Sequence, residues 1–468
     1  MGRKHGIPIF ATAVCSMLLG MTSLAYTDDA VLGLKNVQIT GFGSYEFGQI
    51  VQGEYGGAEY DHYWNHQVYS GIGFIATLSD RMQLVGGIEG KMWNAFPLAN
   101  YTVPATRTNT EQQFSVWVTE ASGTYSFSDT TNKVSAKITA GYFPYKYNPE
   151  SRNLGEYMFR SFTYPGILMN SFDFPAADLL GVKANIKINL DAIQISNDFI
   201  LSEADATWPY GDFSLAYVGD CNIDKIVDIG AGVDFANYIS VNENNTTPVA
   251  LANAIRDDSG NIIQPIKSIN GNDTTRDTSY YTFKAIKPMA RLTFDPKPFM
   301  GDLGRMLGSE DLKLYGEGAI IGTQNYSYYY NNIYQRMPIM FGFYFPTFKL
   351  LDMLNIEFEH YSNPLSTCTK NQTFEWPAPA GELPVCIPIP GEPPSSGYNS
   401  LSTAEDNSSY AWKWSIYAKK TITSHVALTL QLSRDHYRVN FSDGYPDYYE
   451  ALPYKQDWMW TAKISGNI

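Results

Sequence analysis

Beyond its first 25 residues, this 468-residue chain lacks any apolar run long enough to cross a membrane as a helix. Charged residues are scarce at 17%, and segments with the Ala-, Glu-, Lys- and Leu-rich helical period of soluble proteins are few and short. Aromatic residues, by contrast, make up 15% of the chain, which contains 34 Tyr and 38 Gly. This composition favours strands, interfacial side chains and loops over helices.

Residues 1–25 predict a secretory signal peptide. Arg3 and Lys4 give a positive start, an apolar core follows, and Ser23-Leu24-Ala25 places small residues at the −3 and −1 positions. The apolar core is too short for a membrane anchor. Residues 26–35 then form a short lead. Removal of the signal peptide makes the net charge of −14 more negative by two, which argues against a nucleic-acid partner.

Cysteine is also scarce, with four residues, one of which (Cys15) lies in the signal peptide. Cys368 and Cys386 flank a Pro-rich stretch, and we predict that they form a disulfide in an oxidising compartment. Cys221 is predicted to be unpaired and to lie in a tight turn.

The dominant pattern in the chain is alternation of apolar and polar residues. In Trp412–Ser433, apolar and polar residues alternate on both sides of a short polar turn. Side chains on a strand point to opposite faces with period two, so this stretch predicts a hairpin with one apolar and one polar face. Comparable segments recur from residue 36 onward. The predicted strands are 36–51, 64–78, 82–96, 111–127, 133–143, 177–188, 192–202, 210–219, 225–241, 278–294, 311–322, 338–345, 352–362, the two arms of this hairpin, and one containing 458–465.

The connections between these strands are sorted by length, since those after even-numbered strands are mostly short and those after odd-numbered strands mostly long. A soluble sandwich gives no reason for such sorting, whereas outer-membrane barrels have short periplasmic turns and long external loops. The prediction is therefore an all-β fold: a single transmembrane, antiparallel, up-and-down β-barrel over residues 36–468. We count sixteen strands, with fourteen or eighteen left open, and expect a bulge at Ile286–Pro288.

With a signal peptide, sixteen alternating strands, sorted loops and aromatic strand ends, the chain resembles the bacterial outer-membrane porins. The resemblance implies a location in the Gram-negative outer membrane, with membrane lipid and small hydrophilic solutes as partners and no cofactor. It leaves open whether the chain forms a homo-oligomer. In porins the third external loop folds inward and narrows the pore, and by our count residues 144–176 form that loop.

Segment 144–160 carries both signs of charge at short spacing. Ser151 is expected to cap a short helix whose apolar side would be Leu154, Tyr157 and Met158. Opposed charges across a constriction would set a local field that sorts solutes; the alternative is a surface loop with solvated ion pairs. The candidate constriction residues are Lys146, Glu150, Arg152, Glu156 and Arg160.

The polar faces of the predicted strands supply further charged residues, because charge facing lipid at mid-depth would cost about 2–4 kcal/mol for Lys or Arg. The candidate lumen-facing residues are Glu89, Lys91, Lys137, Lys183, Lys187, Asp228, Asp234, Lys313, Glu317, Glu357, Glu359, Lys413 and Lys419. A Tyr-rich external loop contains Tyr326, Tyr328, Tyr329, Tyr330 and Tyr334. It could stack on sugars, although loop packing or an interfacial girdle explains it better.

Three functions fit the sequence. The first is passive diffusion of small hydrophilic solutes through the lumen, with loop 144–176 as constriction and a mild cation preference. The second is a closed barrel whose external loops (242–277, 323–337 and 363–409) bind a surface partner or polymer. The third, an outer-membrane hydrolase, has little support, since no nucleophile elbow or phosphate-binding loop appears. His62 and His66 have a spacing that suits metal on a helix, but they lie at a loop–strand junction, so we predict no metal site.

Overall fold

A computed structural model describes residues 36–55, 58–59, 61–94, 112–128, 133–161, 168, 176–203, 213–239, 255–256, 262–264, 285–325, 332–362, 411–440 and 446–467. In these residues sixteen antiparallel strands form a closed barrel in which each strand pairs with its neighbours in the sequence, and the last strand pairs with the first. The predicted fold class and strand count are confirmed. Residues 1–35, which hold the predicted signal peptide and lead, and Cys368 and Cys386 lie outside the described residues.

The barrel strands are numbered β1 to β16. Their bounds are Asn36–Gln52, Tyr63–Ser79, Met82–Asn94, Gln112–Ser128, Val134–Tyr145, Ala177–Leu190, Ile193–Glu203, Phe213–Ile223, Val227–Ile239, Ala285–Phe294, Leu314–Ala319, Ile339–Tyr344, Met353–His360, Trp412–Thr423, Val426–Arg434 and Trp458–Asn467.

Closure of the ring follows from the pairing of β1 on both sides. It pairs with β2 from Asn36↔Thr77 onward and with β16 from Phe42↔Asn467 onward. No barrel strand is left with an unpaired edge. A closed ring of this kind satisfies the backbone N–H and C=O groups from within, which is the condition for strands to cross hydrocarbon.

The two faces of the wall differ in chemistry, because the alternation in the sequence is the alternation of the strands. On the outer face, apolar side chains such as Ile138, Phe199, Ile229 and Leu292 remain exposed. Polar side chains occupy the intervening positions. Apolar surface on this scale is unfavourable in water and favourable in a bilayer, so the outer face is the lipid-facing side of a transmembrane barrel.

Most connections keep the predicted sorting by length, the exception being the β10–β11 connection (295–313), which is as long as the β11–β12 connection (320–338). Several at one end are tight, for example Asp80-Arg81 and Asp191-Ala192, where Asp191 has a positive φ of 42° as primed hairpin turns require. The longer connections hold two-stranded pieces at Glu54–Tyr55 with Ala58–Glu59, at Ile255–Arg256 with Ile262–Gln264, and at Arg438–Asn440 with Pro446–Glu450.

Helix is confined to short pieces in the described residues. These are the 3₁₀ turns Lys297–Met300 and Ile333–Arg336 and the α-helix Asp302–Met306, which we label α1. None of the described helices has the length and apolar character needed to cross a membrane.

Two local predictions are wrong. The bulge at Ile286–Pro288 is absent, since these residues pair in continuous register with β9. The carbonyl of Pro288 accepts from the Ile320 amide just past the end of β11, and because the N–H and C=O of a strand residue point to the same side, the missing N–H faces that strand end and leaves the ladder with β9 intact. Cys221 is a free thiol as predicted, but it lies within β8 opposite Ile229 rather than in a turn.

Candidate functional site

After β5 the chain does not leave the barrel but lies against side chains of the opposite wall. We call residues 146–161 the inner segment. Its hydrogen-bond partners are side chains of β10 to β13 and of the residue that follows β15. Leu154, Glu156, Tyr157 and Met158 are fully buried. A stretch of irregular backbone is thereby removed from water, and its polar groups need partners.

Glu317 of β11 supplies one set of partners. Its carboxylate accepts the backbone N–H groups of Glu156 and Tyr157, both at 3.0 Å. It also accepts the Tyr147 hydroxyl at 2.5 Å and the Asn148 side-chain amide at 2.7 Å. A buried carboxylate is costly without such donors, and four of them converge here.

Glu357 of β13 supplies a second set. Its two oxygens accept three consecutive backbone N–H groups, those of Arg152 (2.6 Å), Asn153 (2.9 Å) and Leu154 (2.8 Å). The Tyr315 hydroxyl donates to the same carboxylate at 2.6 Å. Successive N–H groups that point at one anion form a nest, and here the anion is a side chain of the wall.

The nest explains why the helix expected after Ser151 does not form. The N–H groups of residues 152–154 are committed to Glu357 rather than to carbonyls of a helical turn. Gly155 and Glu156 have φ of 92° and 60°, which ends any right-handed turn. The Ser151 hydroxyl donates to the Asn148 carbonyl instead of capping. The predicted helix is wrong, although one turn closes later, where the Arg160 amide donates to the Glu156 carbonyl at 3.1 Å.

Three of the candidate constriction residues are used to hold the segment in place. Glu156 accepts the backbone N–H groups of Tyr147 and Asn148 within its own segment. Arg160 donates to the Asn153 carbonyl at 3.1 Å, and Glu150 pairs with Lys313 at 3.0 Å. All three are buried.

The two remaining candidates are basic and keep partial exposure. Lys146 donates to the Ser151 carbonyl at 2.7 Å. The Nε of Arg152 donates to the Tyr344 hydroxyl at 2.7 Å, and its guanidinium lies 5.7 Å from the centre of that ring. In the sequence, acidic and basic residues are interspersed at short spacing. In the structure, the candidates that keep partial exposure to water are the basic residues Lys146 and Arg152.

Burial changes the acidity of these groups. Burial, together with the negative charge of Glu317, raises the pKa of Glu156 to about 8, against the lowering effect of its backbone donors. Burial lowers the pKa of Lys146 to about 8, and the attraction of Glu156 opposes that shift.

Apolar side chains complete the contact between the inner segment and the wall. Leu154, Tyr157 and Met158 share one buried cluster with Met289 of β10 and Met340 of β12. Both methionines lie on the polar faces of their strands. The other face of the same strands carries exposed residues such as Leu292 and Ile339. Their place on that face is explained by the segment that covers them.

A buried histidine links the inner segment to the last long connection. His436 has Nδ1 2.5 Å from Glu450 and Nε2 2.5 Å from Glu359. Glu450 also pairs with Lys413 at 2.8 Å, and Glu359 accepts the Tyr157 hydroxyl at 2.8 Å. Burial alone would lower the pKa of His436, but the charges of Glu450 and Glu359 raise it above its ordinary value.

The other charged residues predicted on the wall fall into two groups, all on strand faces that alternate with exposed apolar side chains. On β8 to β10 the charges pair with one another, as Asp234 does with Lys287 (3.3 Å) and Asp228 with Arg291 (3.1 Å). On β3, β5, β6 and β14 the side chains keep access to water, and these are Glu89, Lys91, Lys137, Lys183, Lys187 and Lys419. Lys91 lies 5.1 Å from the Tyr69 ring and Lys183 lies 5.0 Å from the Tyr145 ring.

Several residues of the site were missed by sequence reasoning. Lys287 and Arg291 lie in β10, whose alternation is interrupted by Pro288, and His436 and Glu450 lie in a connection. One signal in the sequence could have indicated that a segment covers this part of the wall, namely the presence of Met289 and Met340 on otherwise polar strand faces.

The remaining sequence candidates contribute little in the described residues. His66 contacts the Tyr45 hydroxyl at 2.8 Å, and no cluster of metal-ligating side chains occurs in the part of the chain that is described. Tyr334 is exposed, while Tyr326, Tyr328, Tyr329 and Tyr330 lie outside that part.

Replacement of Glu357 tests the nest directly. Glu357→Ala leaves three buried N–H groups without their anion, at about 1.5–3 kcal/mol for a lost charged acceptor. We expect amide hydrogen exchange at residues 152–154 to accelerate by roughly ten- to a hundredfold. Glu357→Gln, which keeps a neutral acceptor, should fall between. Unchanged exchange in Glu357→Ala, or equal acceleration in the control Glu89→Ala on β3, would contradict the assignment.

The His436 contacts should depend on pH. Because the folded chain raises the pKa of His436, its stabilisation is fully present below the unfolded value of about 6.5 and is lost as the pH rises through the folded value. The wild-type chain should be more stable than His436→Gln by roughly 2–3 kcal/mol in mild acid, and this difference should shrink in alkali. Guanidinium unfolding in lipid vesicles measures it, with His425→Gln in an exposed turn as control. A difference that is constant with pH would refute the link.

Comparison with solved structures finds barrels of similar architecture. Pseudomonas putida OprB, in its high-pH structure, is 10% identical with a TM-score of 0.46, over 93% of this chain and 94% of OprB. Salmonella typhi OmpF in complex with daunomycin is 11% identical with a TM-score of 0.45, over 93% and 98%. An engineered porin variant from Rh. blastica is 5% identical with a TM-score of 0.39, over 92% and 100%. No family model and no curated protein sequence matches the chain. The chain is thus similar to porins, and its fold assignment rests on the closed ring of sixteen paired strands.

Proposed function

We propose that the chain is a passive diffusion channel of the bacterial outer membrane for small hydrophilic solutes, with the inner segment as its constriction. The observation that carries this proposal is the contrast between the two halves of the inner wall. Asn355, Glu357 and Ser415 are fully buried beneath the inner segment and its neighbours, whereas Lys137 and Lys187 are exposed. A path for water therefore runs along β3 to β7, beside the segment rather than through it.

The size of the barrel supports this reading. Rings of about sixteen strands are wide enough to enclose an aqueous channel, and the strands alternate apolar and polar faces as a membrane channel requires. The inner segment contains 16 positions between Lys146 and Ser161, most of them buried, so it occupies part of the cross-section and leaves the rest. Its fixed hydrogen bonds favour a permanent narrowing over a movable lid.

Two strands of the path, β5 and β6, carry an excess of positive charge on their polar faces, in contrast to the mild cation preference expected from net charge. Lys137, Lys183 and Lys187 share the polar faces of neighbouring strands β5 and β6. No carboxylate within the described residues forms an ion pair with them, although Asp198 of β7 lies on the same face and accepts from Asn185 at 2.7 Å, whereas the basic residues of β10 are paired. Lys146 and Arg152 of the inner segment add positive charge with partial exposure.

Planar-bilayer recording tests the channel. The purified chain should give stepwise ionic current, and deletion of residues 150–160 should raise the single-channel conductance severalfold because the covered half of the lumen becomes free. Silence from correctly folded wild-type barrels would favour the closed barrel with partner-binding external loops. Current that is unaltered by the deletion would remove the inner segment from the role of constriction.

Removal of positive charge from β5 and β6 tests the path. Replacing Lys137, Lys183 and Lys187 together by Gln should move the reversal potential in a salt gradient toward cation preference, since three positive charges leave the proposed path. Lys225→Gln, in the exposed β8–β9 turn, is the matched control and should leave the potential unchanged. An equal potential for wild type and the triple variant would mean that ions do not pass along this face.

A further inference from the structure

The short-turn end of the barrel is not uniform around the ring. Its tight turns are polar, for example Asp80-Arg81, Asp191-Ala192 and Ser424-His425. The β10–β11 and β12–β13 connections instead expose large apolar side chains. Their exposed fractions run from 49% to 77%, and the residues are Phe299, Leu303, Met306, Phe348 and Leu350. We call these five residues the apolar turn surface.

Hydrogen bonds place these connections at the outer side of the wall. Lys420 has the outward parity of β14, two residues from the exposed Ile422, and its amine donates to the Lys349 carbonyl at 3.2 Å. Lys349 in turn donates to the Arg305 carbonyl of α1 at 3.1 Å. The Phe345 ring contacts Phe343, which lies on the outer face of β12, at 4.7 Å. The apolar turn surface is therefore continuous with the outer face of the wall.

Hydrogen bonds from a buried side chain stabilise the turn that exposes Phe348. Asp311 is fully buried, and its carboxylate accepts the amides of Gly308 (2.8 Å) and Phe348 (3.2 Å) and the Thr347 hydroxyl (3.2 Å). Phe348 and Lys349 have positive φ of 52° and 67°, a conformation that persists only where surrounding contacts enforce it. Phe348 is thus presented outward by a defined turn and is not a side chain that failed to pack.

Continuity with the lipid-facing wall indicates what covers these side chains. At the short-turn end, β9 to β12 end in common register through the pairs Val227↔Phe294, Phe294↔Leu314 and Leu314↔Phe343. The outer face of these strands carries exposed apolar side chains such as Leu292 and Phe341. The apolar turn surface follows directly on this face, so the medium that covers the wall also covers the turns.

We propose that the apolar turn surface inserts into the adjacent phospholipid leaflet, where it extends the lipid-facing band at the short-turn end of β10 to β13. Its occupant is the glycerol and upper acyl region of phospholipid. The proposal rests on the membrane placement of the proposed channel. It predicts that α1 and the 345–351 turn lie at the depth of the ester groups, and not in the aqueous space below the barrel.

Lipid quenching of site-directed labels tests this. Leu303→Cys and Leu350→Cys are labelled with a nitrobenzoxadiazole dye and reconstituted in phosphatidylcholine–phosphatidylglycerol vesicles containing shallow-doxyl lipid. Leu292→Cys on the outer wall is the positive control, Ala192→Cys in a polar turn is the negative control, and the parent chain labelled in parallel supplies the background of native cysteines. We expect labels at 303 and 350 to lose about the same fraction of fluorescence as the label at 292, and the label at 192 to lose little.

The other outcomes distinguish failure of this proposal from failure of the membrane placement on which it rests. Quenching at 292 with none at 303 or 350 would overturn the proposal and leave the channel intact. Absence of quenching at 292 as well would overturn the membrane placement itself. Self-quenching at 303 or 350 that grows with the protein-to-lipid ratio, without quenching by doxyl lipid, would show that a second copy of the chain covers the surface instead, and would also overturn the proposal.

Discussion

Backbone N–H and C=O groups that are removed from water must find partners, and the structure meets this demand in two ways. In the wall, the pairing of β1 with β16 closes the ring so that no strand edge is left open. In the inner segment, which has no strand partner, the carboxylates of Glu317 and Glu357 accept five backbone N–H groups between residues 152 and 157. Irregular backbone at membrane depth is tolerated because the wall supplies the acceptors.

Burial of the Glu317 and Glu357 carboxylates is offset because the inner segment supplies hydrogen-bond donors to them. Glu317 and Glu357 are each surrounded by backbone N–H groups and tyrosine hydroxyls. Glu359 is held by Tyr157 and His436, and the same histidine reaches Glu450 and so the last long connection. In the proposed channel, this network would keep the constriction at a fixed width, and its alkaline weakening would begin at His436.

One sector of the ring, β10 to β13, carries most of what distinguishes this barrel. The inner segment lies on its inner face, the shortest strands form its wall, and the apolar turn surface lies at its short-turn end. Short strands offer few rungs of ladder hydrogen bonds, and here they are supported from the inside by Met158, Tyr157 and their neighbours. In the proposed channel, the opposite sector, with long strands and exposed lysines, is left for solute.

Alternation and loop length in the sequence were enough to predict a closed barrel of about sixteen strands, with fourteen or eighteen left open, and the polar face of most strands, because side-chain direction in a strand depends only on parity. The sequence also indicated residues 144–160 as unusual. It did not determine their conformation: Ser151 looked like a helix cap, yet the N–H groups that follow it bind Glu357, a residue 205 positions from Arg152. Nor did the sequence determine which charged side chains remain accessible to water. Glu156 and Arg160 are as polar in sequence as Lys146 and Arg152, but contacts made only on closure of the barrel bury the first pair, since burial is a property of the assembled neighbours and not of the local chain.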